Sequence, residues 1–230
     1  MTTEGHARNM PRVLVGCPTY DGKRYCLSQY TTCVKAFDYP AYDILLVDNS
    51  ATDAYMTEIE AKGLSVVKGP RLATPKETIV ASRNILRERA IHGGYDYFLS
   101  LEQDVVAPPD TITRLVAQKK EYVTTIVMNT KTINGKKIVY PMVCVPLEGS
   151  SDRVRPLKMT EIQSGTLLEI SSAHLSCTLI STGLLKKHQF RHTEKAFDDV
   201  IFCNDARASG TTLYCDTTLK ILHWPDGPKQ

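Results

Sequence analysis

An α/β fold built on a mostly parallel, Rossmann-like sheet is predicted by three features of this 230-residue sequence. Short β-branched runs alternate with longer helical patterns through the first half, the signature of strands joined by crossover helices. Three apolar runs end abruptly in polar or acidic residues, at Cys17-Pro18-Thr19-Tyr20, Val47-Asp48-Asn49-Ser50 and Leu101-Glu102-Gln103-Asp104. Such endings belong to the carboxyl edge of a sheet, where open α/β folds bind ligands. A helix over 75–92 carries signals for both of its ends.

Strands are predicted over 13–17, 42–47, 64–67 and 95–101, with helices over 23–37, 52–62 and 75–92 between them. The third helix is the most fully specified. Thr74 can cap it, Pro75 suits its first turn, Glu77 completes a capping box, and Gly93-Gly94 supplies a left-handed stop. Its face carries Ile79, Arg83 and Leu86. After Asp104 the pattern changes to a helix over 110–120, a strand over 122–128 and a hairpin turned at Asn134-Gly135, a dipeptide suited to the type I′ turn. The second half is therefore expected to be mixed rather than parallel. The stretch 146–163 is rich in charge, Gly, Ser and Pro without a period, and reads either as a surface loop or as a lid over a site.

Composition narrows the function. Twenty-eight Lys and Arg against 25 Asp and Glu, a net charge of +3, fall far short of the basic excess that neutralises a nucleic-acid backbone. No nucleic-acid partner is expected; small anionic ligands are. Seven scattered cysteines without a C-x-x-C pair suit free thiols in a reducing cytoplasm. No segment approaches the ~18 to 20 apolar residues that span a bilayer, and the amino terminus has no apolar run of the signal-peptide kind. A soluble, cytoplasmic protein is expected, with peripheral membrane contact left open. Neither G-x-G-x-x-G nor G-x-x-x-x-G-K-[ST] follows a strand, which argues against dehydrogenases and phosphate-loop NTPases.

Five segments can carry chemistry, and each has a plainer alternative. Pro18, Thr19 and Tyr20 can shape a ligand-binding turn and offer a hydroxyl, or simply join strand to helix. Asp48 can accept hydrogen bonds from a nucleobase or ribose, while Asn49, Ser50 or Thr52 can merely cap the next helix. Glu102 and Asp104, one residue apart at a strand end, can present oxygens to Mg²⁺ or Mn²⁺, or stand as solvated loop acids. Asp198 and Asp199 open an amphipathic helix that ends at Gly210; one of them can act as a general base, though the helix dipole alone favours acids there. His223 can complete a metal's coordination or be structural.

In this order the segments resemble the GT-A fold glycosyltransferases, particularly the family 2 type, over nearly the whole chain from Arg12 to Trp224. Val13-Leu14-Val15-Gly16-Cys17-Pro18-Thr19-Tyr20 is similar to that family's opening strand and turn, and Leu45-Leu46-Val47-Asp48-Asn49-Ser50 to its second nucleotide-contacting strand end. Ala81-Ser82-Arg83-Asn84 matches the helix before its metal motif, and Glu102-Gln103-Asp104 stands where its D-x-D motif stands, with Glu in place of the commoner first Asp. The acidic-pair helix has its counterpart from Asp198, with Asp198 replacing the usual Glu and Ile201 replacing a later acid.

The resemblance implies one domain over 1–230, with a nucleotide-binding half over about 12–105 and an acceptor-side half over about 106–224. It implies a UDP- or GDP-linked sugar donor held by Pro18, Thr19, Tyr20, Asp48, Asn49, Arg83 and Glu102. It further implies a divalent cation, Mn²⁺ or Mg²⁺, on Asp104 with His223 and Glu102, and Asp199 as the base that deprotonates an acceptor hydroxyl. Inversion at the sugar carbon is the expected outcome. No Q-x-x-R-W motif follows the acidic-pair helix, which favours transfer of a single sugar over polymer synthesis. Two other readings stand beside this one: a nucleotidyltransferase, disfavoured because 17–23 offers Gly22 alone for a phosphate loop, and a non-catalytic nucleotide- or carbohydrate-binding protein of the same fold.

Overall fold

Apolar runs that bury both of their faces form the middle of the molecule. In the computed structural model, which describes residues 10–149, 153–162 and 165–224, β1 (Val13–Thr19), β2 (Tyr42–Asp48), β3 (Val66–Lys68) and β4 (Tyr97–Leu101) lie parallel in the order β4-β1-β2-β3. Between them run a 3-10 turn at Asp21–Cys26 with α1 (Leu27–Lys35), then α2 (Ala54–Ala61) and α3 (Pro75–His92). Side chains alternate across the sheet. Val13, Val15 and Cys17 of β1 pack with α1 and α2, whereas Leu14 packs with α3, so helices cover both faces.

The second half extends the same sheet. A short β5 (Val105–Val106) and α4 (Thr111–Ala117) lead to β6 (Tyr122–Ile126), a hairpin of β7 (Met128–Ile133) and β8 (Lys136–Pro141), and β9 (Val143–Pro146), β10 (Val154–Pro156), α5 (Met159–Ile162), β11 (Leu167–Ile170) and β12 (Ser172–Ala173). There follow β13 (Cys177–Ser181), α6 (Thr182–Lys187), α7 (Asp198–Ala208), β14 (Leu213–Lys220) and β15 (Leu222–His223). The full order of the eight-stranded sheet is β11-β14-β6-β13-β4-β1-β2-β3. Strand β13 runs antiparallel to both β4 and β6, so β6 and its parallel partner β14 share the direction of β1 to β4; only β13 and β11 of the eight are reversed. The expected mostly parallel α/β sheet with a mixed second half is what the chain forms.

Local signals acted as their chemistry requires. At the start of α3 the Glu77 amide donates to Thr74 Oγ1 at 3.2 Å and the Thr74 amide to Glu77 Oε2 at 2.9 Å, and Gly94 beyond its end has φ +69°. Asn134 and Gly135, at φ +48° and +75°, turn the β7–β8 hairpin. The stretch 146–163 differs from its expectation. It carries β10, paired with β9, and the short α5, whose Glu161 takes a two-pronged ion pair from Arg155 at 2.6 and 2.9 Å. Residues 150–152 and 163 of that stretch lie outside the described residues. All seven cysteines are free thiols, and among the described residues no helix is long and apolar enough to cross a membrane.

Gly16 sits where β1 lies close against β2. A Cβ there would stand 2.2 Å from the Leu45 carbonyl oxygen and 3.0 Å from Leu86 Cδ2. The first is backbone in the middle of the sheet and has no room to yield. Gly16→Ala is therefore expected to cost about 1 to 3 kcal/mol, read as a lowered urea midpoint; an unchanged midpoint would refute this account of the close approach.

Candidate functional site

The carboxyl ends of β1, β2 and β4 open on one cleft of about 190 Å³, lined by Pro18, Thr19, Tyr20, Lys23, Asn49, Ile79, Arg83, Glu102, Gln103 and Asp104. A second hollow of about 430 Å³ shares Tyr20, Asn49 and Ile79 with it and continues past Arg71, Leu72 and the start of α3. The sheet thus brings together residues from three strand ends and one helix, as the order of motifs requires.

Asp104 is among the lining residues. It is 4% exposed, with Oδ2 taking a short hydrogen bond from Lys23 Nζ and lying 3.6 Å from His223 Nε2. Its other oxygen, Oδ1, is buried without a hydrogen-bond partner. Burial works to raise this carboxyl, but the bonds from His223 and Lys23 outweigh it and hold it below its usual value. His223 reaches the site because β15 pairs antiparallel with β5, setting His223 opposite Val105, while the Trp224 amide donates to the Asp104 carbonyl at 2.8 Å. Its Nδ1 lies 3.0 Å from the Met128 carbonyl oxygen. A carbonyl only accepts, so Nδ1 carries a proton and Nε2 is the nitrogen turned to Asp104.

Arg83 joins the two halves. Its Nη1 makes a short bond to Asp198 Oδ2 and its Nη2 lies 3.4 Å from Glu102 Oε1, with Arg83 4% and Asp198 0% exposed. Glu102 is further occupied by the Ser176 hydroxyl, which donates to Oε2 at 3.0 Å. Its carboxylate is thus engaged by Arg83 and Ser176, in contrast to the free oxygen of Asp104. The Arg83 Nε has no partner, so the cleft-lining residues include one unpaired buried donor and one unpaired buried acceptor.

The expected nucleotide contacts divide. Tyr20, at 49% exposure, and Asn49 line both hollows, and Pro18 lines the smaller one. Thr19 also lines the cleft, but its hydroxyl bonds to Gln103 Oε1, whose Nε2 donates to the Tyr55 hydroxyl at 2.6 Å. Asp48 is 0% exposed and lines neither hollow. Its Oδ1 accepts from the Ser50 hydroxyl at 2.5 Å and the Ser50 amide at 3.0 Å, and its Oδ2 from Lys68 at 3.1 Å. Ser50 Oγ in turn accepts the Asp21 amide at 2.8 Å, so Asp48 pins the 3-10 turn instead of facing the cleft.

The two acids that open α7 have different surroundings. Asp198 is locked on Arg83 and accepts the Asp199 amide at 3.1 Å; Asp199 accepts the Val200 amide at 2.7 Å and has its Oδ2 3.7 Å from His174 Nδ1. Lys23 and His174 were missed by sequence reasoning. Lys23 lies three residues beyond Tyr20, the end of a turn motif whose hydroxyl and ring carry the stronger signal, and His174 stands in a segment with no periodic signal.

A divalent cation fits this donor set in a specific way. Among the described residues, no group of three or more His, Cys, Asp or Glu side chains is arranged to hold a metal on its own. Asp104 and His223 supply one oxygen and one nitrogen, and a cation there would complete its shell with ligand phosphate oxygens and water, as Mg²⁺-type sites do.

No protein-family model matches the chain, and no curated protein sequence does. Solved structures do match. The mannosyltransferase PcManGT from Pyrobaculum calidifontis, in complex with GDP-Man and Mn²⁺, has a TM-score of 0.59 over 91% of this chain and 58% of its own, at 14% identity. TarS 1-349 from S. aureus, in complex with UDP-GlcNAc, has 0.56 over 89% and 55%, at 17% identity. The protein A197 from STIV has 0.52 over 94% and 86%, at 14% identity. The chain spans a little over half the length of the first two. At such identities the likeness carries the fold: the chain has a GT-A-like glycosyltransferase fold.

Proposed function

We propose that the protein is a glycosyltransferase that moves one sugar from a UDP- or GDP-linked donor to an acceptor hydroxyl in the cytoplasm, with Mn²⁺ or Mg²⁺ on the donor diphosphate and inversion at the sugar carbon. The observation that carries this reading is Asp104, a buried carboxylate with one oxygen facing the fixed imidazole of His223 and the other unpartnered, in the lining of a cleft that continues into a larger hollow. The donors of the two neighbours, a GDP- and a UDP-sugar, support the class of ligand.

In this reading the nucleoside lies in the larger hollow against Tyr20 and Asn49, and the diphosphate lies over Arg83 and Asp104. Asp104 and His223 would hold the cation, which would supply charge stabilisation for the departing diphosphate. Arg83 adds a fixed positive charge that needs no reorganisation, because Asp198 and Glu102 already hold it in place. Asp199 is the base we assign, since Asp198 is committed to Arg83. It takes the acceptor proton as the hydroxyl attacks from the side opposite the diphosphate.

The test is thermal melting against a panel of nucleoside diphosphates with and without Mn²⁺, in the wild type and in Asp104→Ala. A nucleotide-selective, Mn²⁺-dependent rise of several degrees, lost in the variant, is expected and would also name the base. No shift with any nucleotide would sink the donor site and turn attention to a non-catalytic carbohydrate-binding role.

A further inference from the structure

Lys23 has no part in the mechanism above, yet it lines the same cleft and holds the same carboxylate as the proposed cation. We propose that Lys23 makes the two ligands interdependent: it competes with the divalent cation for Asp104 and is released to the donor's diphosphate, so that cation and nucleotide bind well only together. This rests on the nucleotide-sugar reading.

Three observations lead there. Lys23 Nζ donates to Asp104 Oδ2, the oxygen that His223 Nε2 also faces, while Oδ1 of the same carboxylate is buried and unpartnered. The base of the lysine is fixed, because its amide donates to the Tyr20 carbonyl at 2.8 Å and the preceding turn is tied through Asp21 and Ser50 to Asp48. Its side chain is 29% exposed and lines the cleft, so the ammonium borders open space.

A divalent ion set between Asp104 and His223 would stand within a few ångströms of the ammonium. Two positive charges that close, in a part-buried site, repel strongly. The lysine head is a compact point charge on a flexible stem and can leave Asp104, provided that another anion receives it. A diphosphate over Asp104 is such an anion and bonds an ammonium with charge-assisted strength. The cation is then weakly held without nucleotide and tightly held with it, and by linkage the nucleotide gains by the same factor.

The experiment follows the electron paramagnetic resonance signal of free Mn²⁺ during titration of wild type, Lys23→Met and Lys23→Arg, each with and without UDP and GDP, alongside melting curves. Lys23→Met keeps the apolar stem and removes the charge. It is expected to bind Mn²⁺ alone about tenfold more tightly than wild type, and the nucleotide-induced gain, corrected for Mn²⁺ bound by free nucleotide, is expected to shrink by about tenfold from its wild-type value, the remainder coming from diphosphate oxygens that ligate the ion directly; Lys23→Arg should retain the full gain. If Lys23→Met binds Mn²⁺ no more tightly than wild type, keeps the full gain, or binds no Mn²⁺, the proposal is overturned. Should Lys23→Met lack a cooperative melt, Lys23→Gln is read by the same criteria. The donor reading fails on separate evidence: if no nucleoside diphosphate changes the melting of any variant while Lys23→Met still gains Mn²⁺ affinity, the competition for Asp104 stands and the release to a donor diphosphate falls.

Discussion

Asp199→Asn is expected to lower turnover of the nucleotide sugar by about 10²- to 10⁴-fold, the range in which a positioned general base contributes, with nucleotide-induced melting shifts unchanged. The expectation rests on the unequal surroundings of two adjacent acids. Asp198 is fully buried on Arg83, so its lone pairs are committed. Asp199 is held by the Val200 amide on one oxygen only, and its other oxygen lies 3.7 Å from a half-exposed His174. An amide has nearly the same shape and cannot take the acceptor's proton, so the loss should appear in kcat. Undiminished turnover by Asp199→Asn, measured as release of nucleoside diphosphate, would remove Asp199 from the base role. Asp198→Asn should differ in kind, with its effect in melting temperature, because it weakens a buried ion pair.

Much of this arrangement is legible in the sequence because local rules dictate it. The ends of α3 are written in Thr74, Pro75, Glu77 and Gly93-Gly94, and the helix spans Pro75–His92. Strands β1, β2 and β4 read as apolar runs because both of their faces are buried, and their carboxyl ends name the cleft. What stays hidden depends on distant pairing. Strand β13 inserts antiparallel between β4 and β6, an order that hydrophobic periodicity does not carry. Asp48 has the strand-end position of a ligand contact, yet Ser50 and Lys68 consume its oxygens. Lys23 carries no local signal, and only the 3-10 turn lays it across Asp104, 81 residues away.

The largest loss of stability is expected from Arg83→Met, through a contact that no local pattern announces. The guanidinium on α3 and Asp198 at the start of α7 are 115 residues apart in the chain and both nearly inaccessible. Burial works to lower the arginine's affinity for its proton, but Asp198 and Glu102 outweigh it and hold that affinity above the usual value. Removing the cation leaves Asp198 buried without its counter-charge, which costs about 3 to 5 kcal/mol. At roughly 2 to 4 °C per kcal/mol for a chain of this size, the melting temperature should fall by about 6 to 20 °C. The helix dipole at the start of α7 and the Asp199 amide on Asp198 Oδ1 offset part of this, favouring the lower half of the range. The double variant Arg83→Met with Asp198→Asn removes both charges and should recover a substantial share of the loss, so the two substitutions should be far from additive. A single-variant loss below about 1 kcal/mol, the scale of an exposed ion pair, or strict additivity in the cycle, would mean that the pair is solvated and does not join the cleft to the acceptor side. If the cycle is non-additive, the charge proposed to face the diphosphate and the helix proposed to carry the base are parts of one buried unit, and substitutions that loosen either should disturb both.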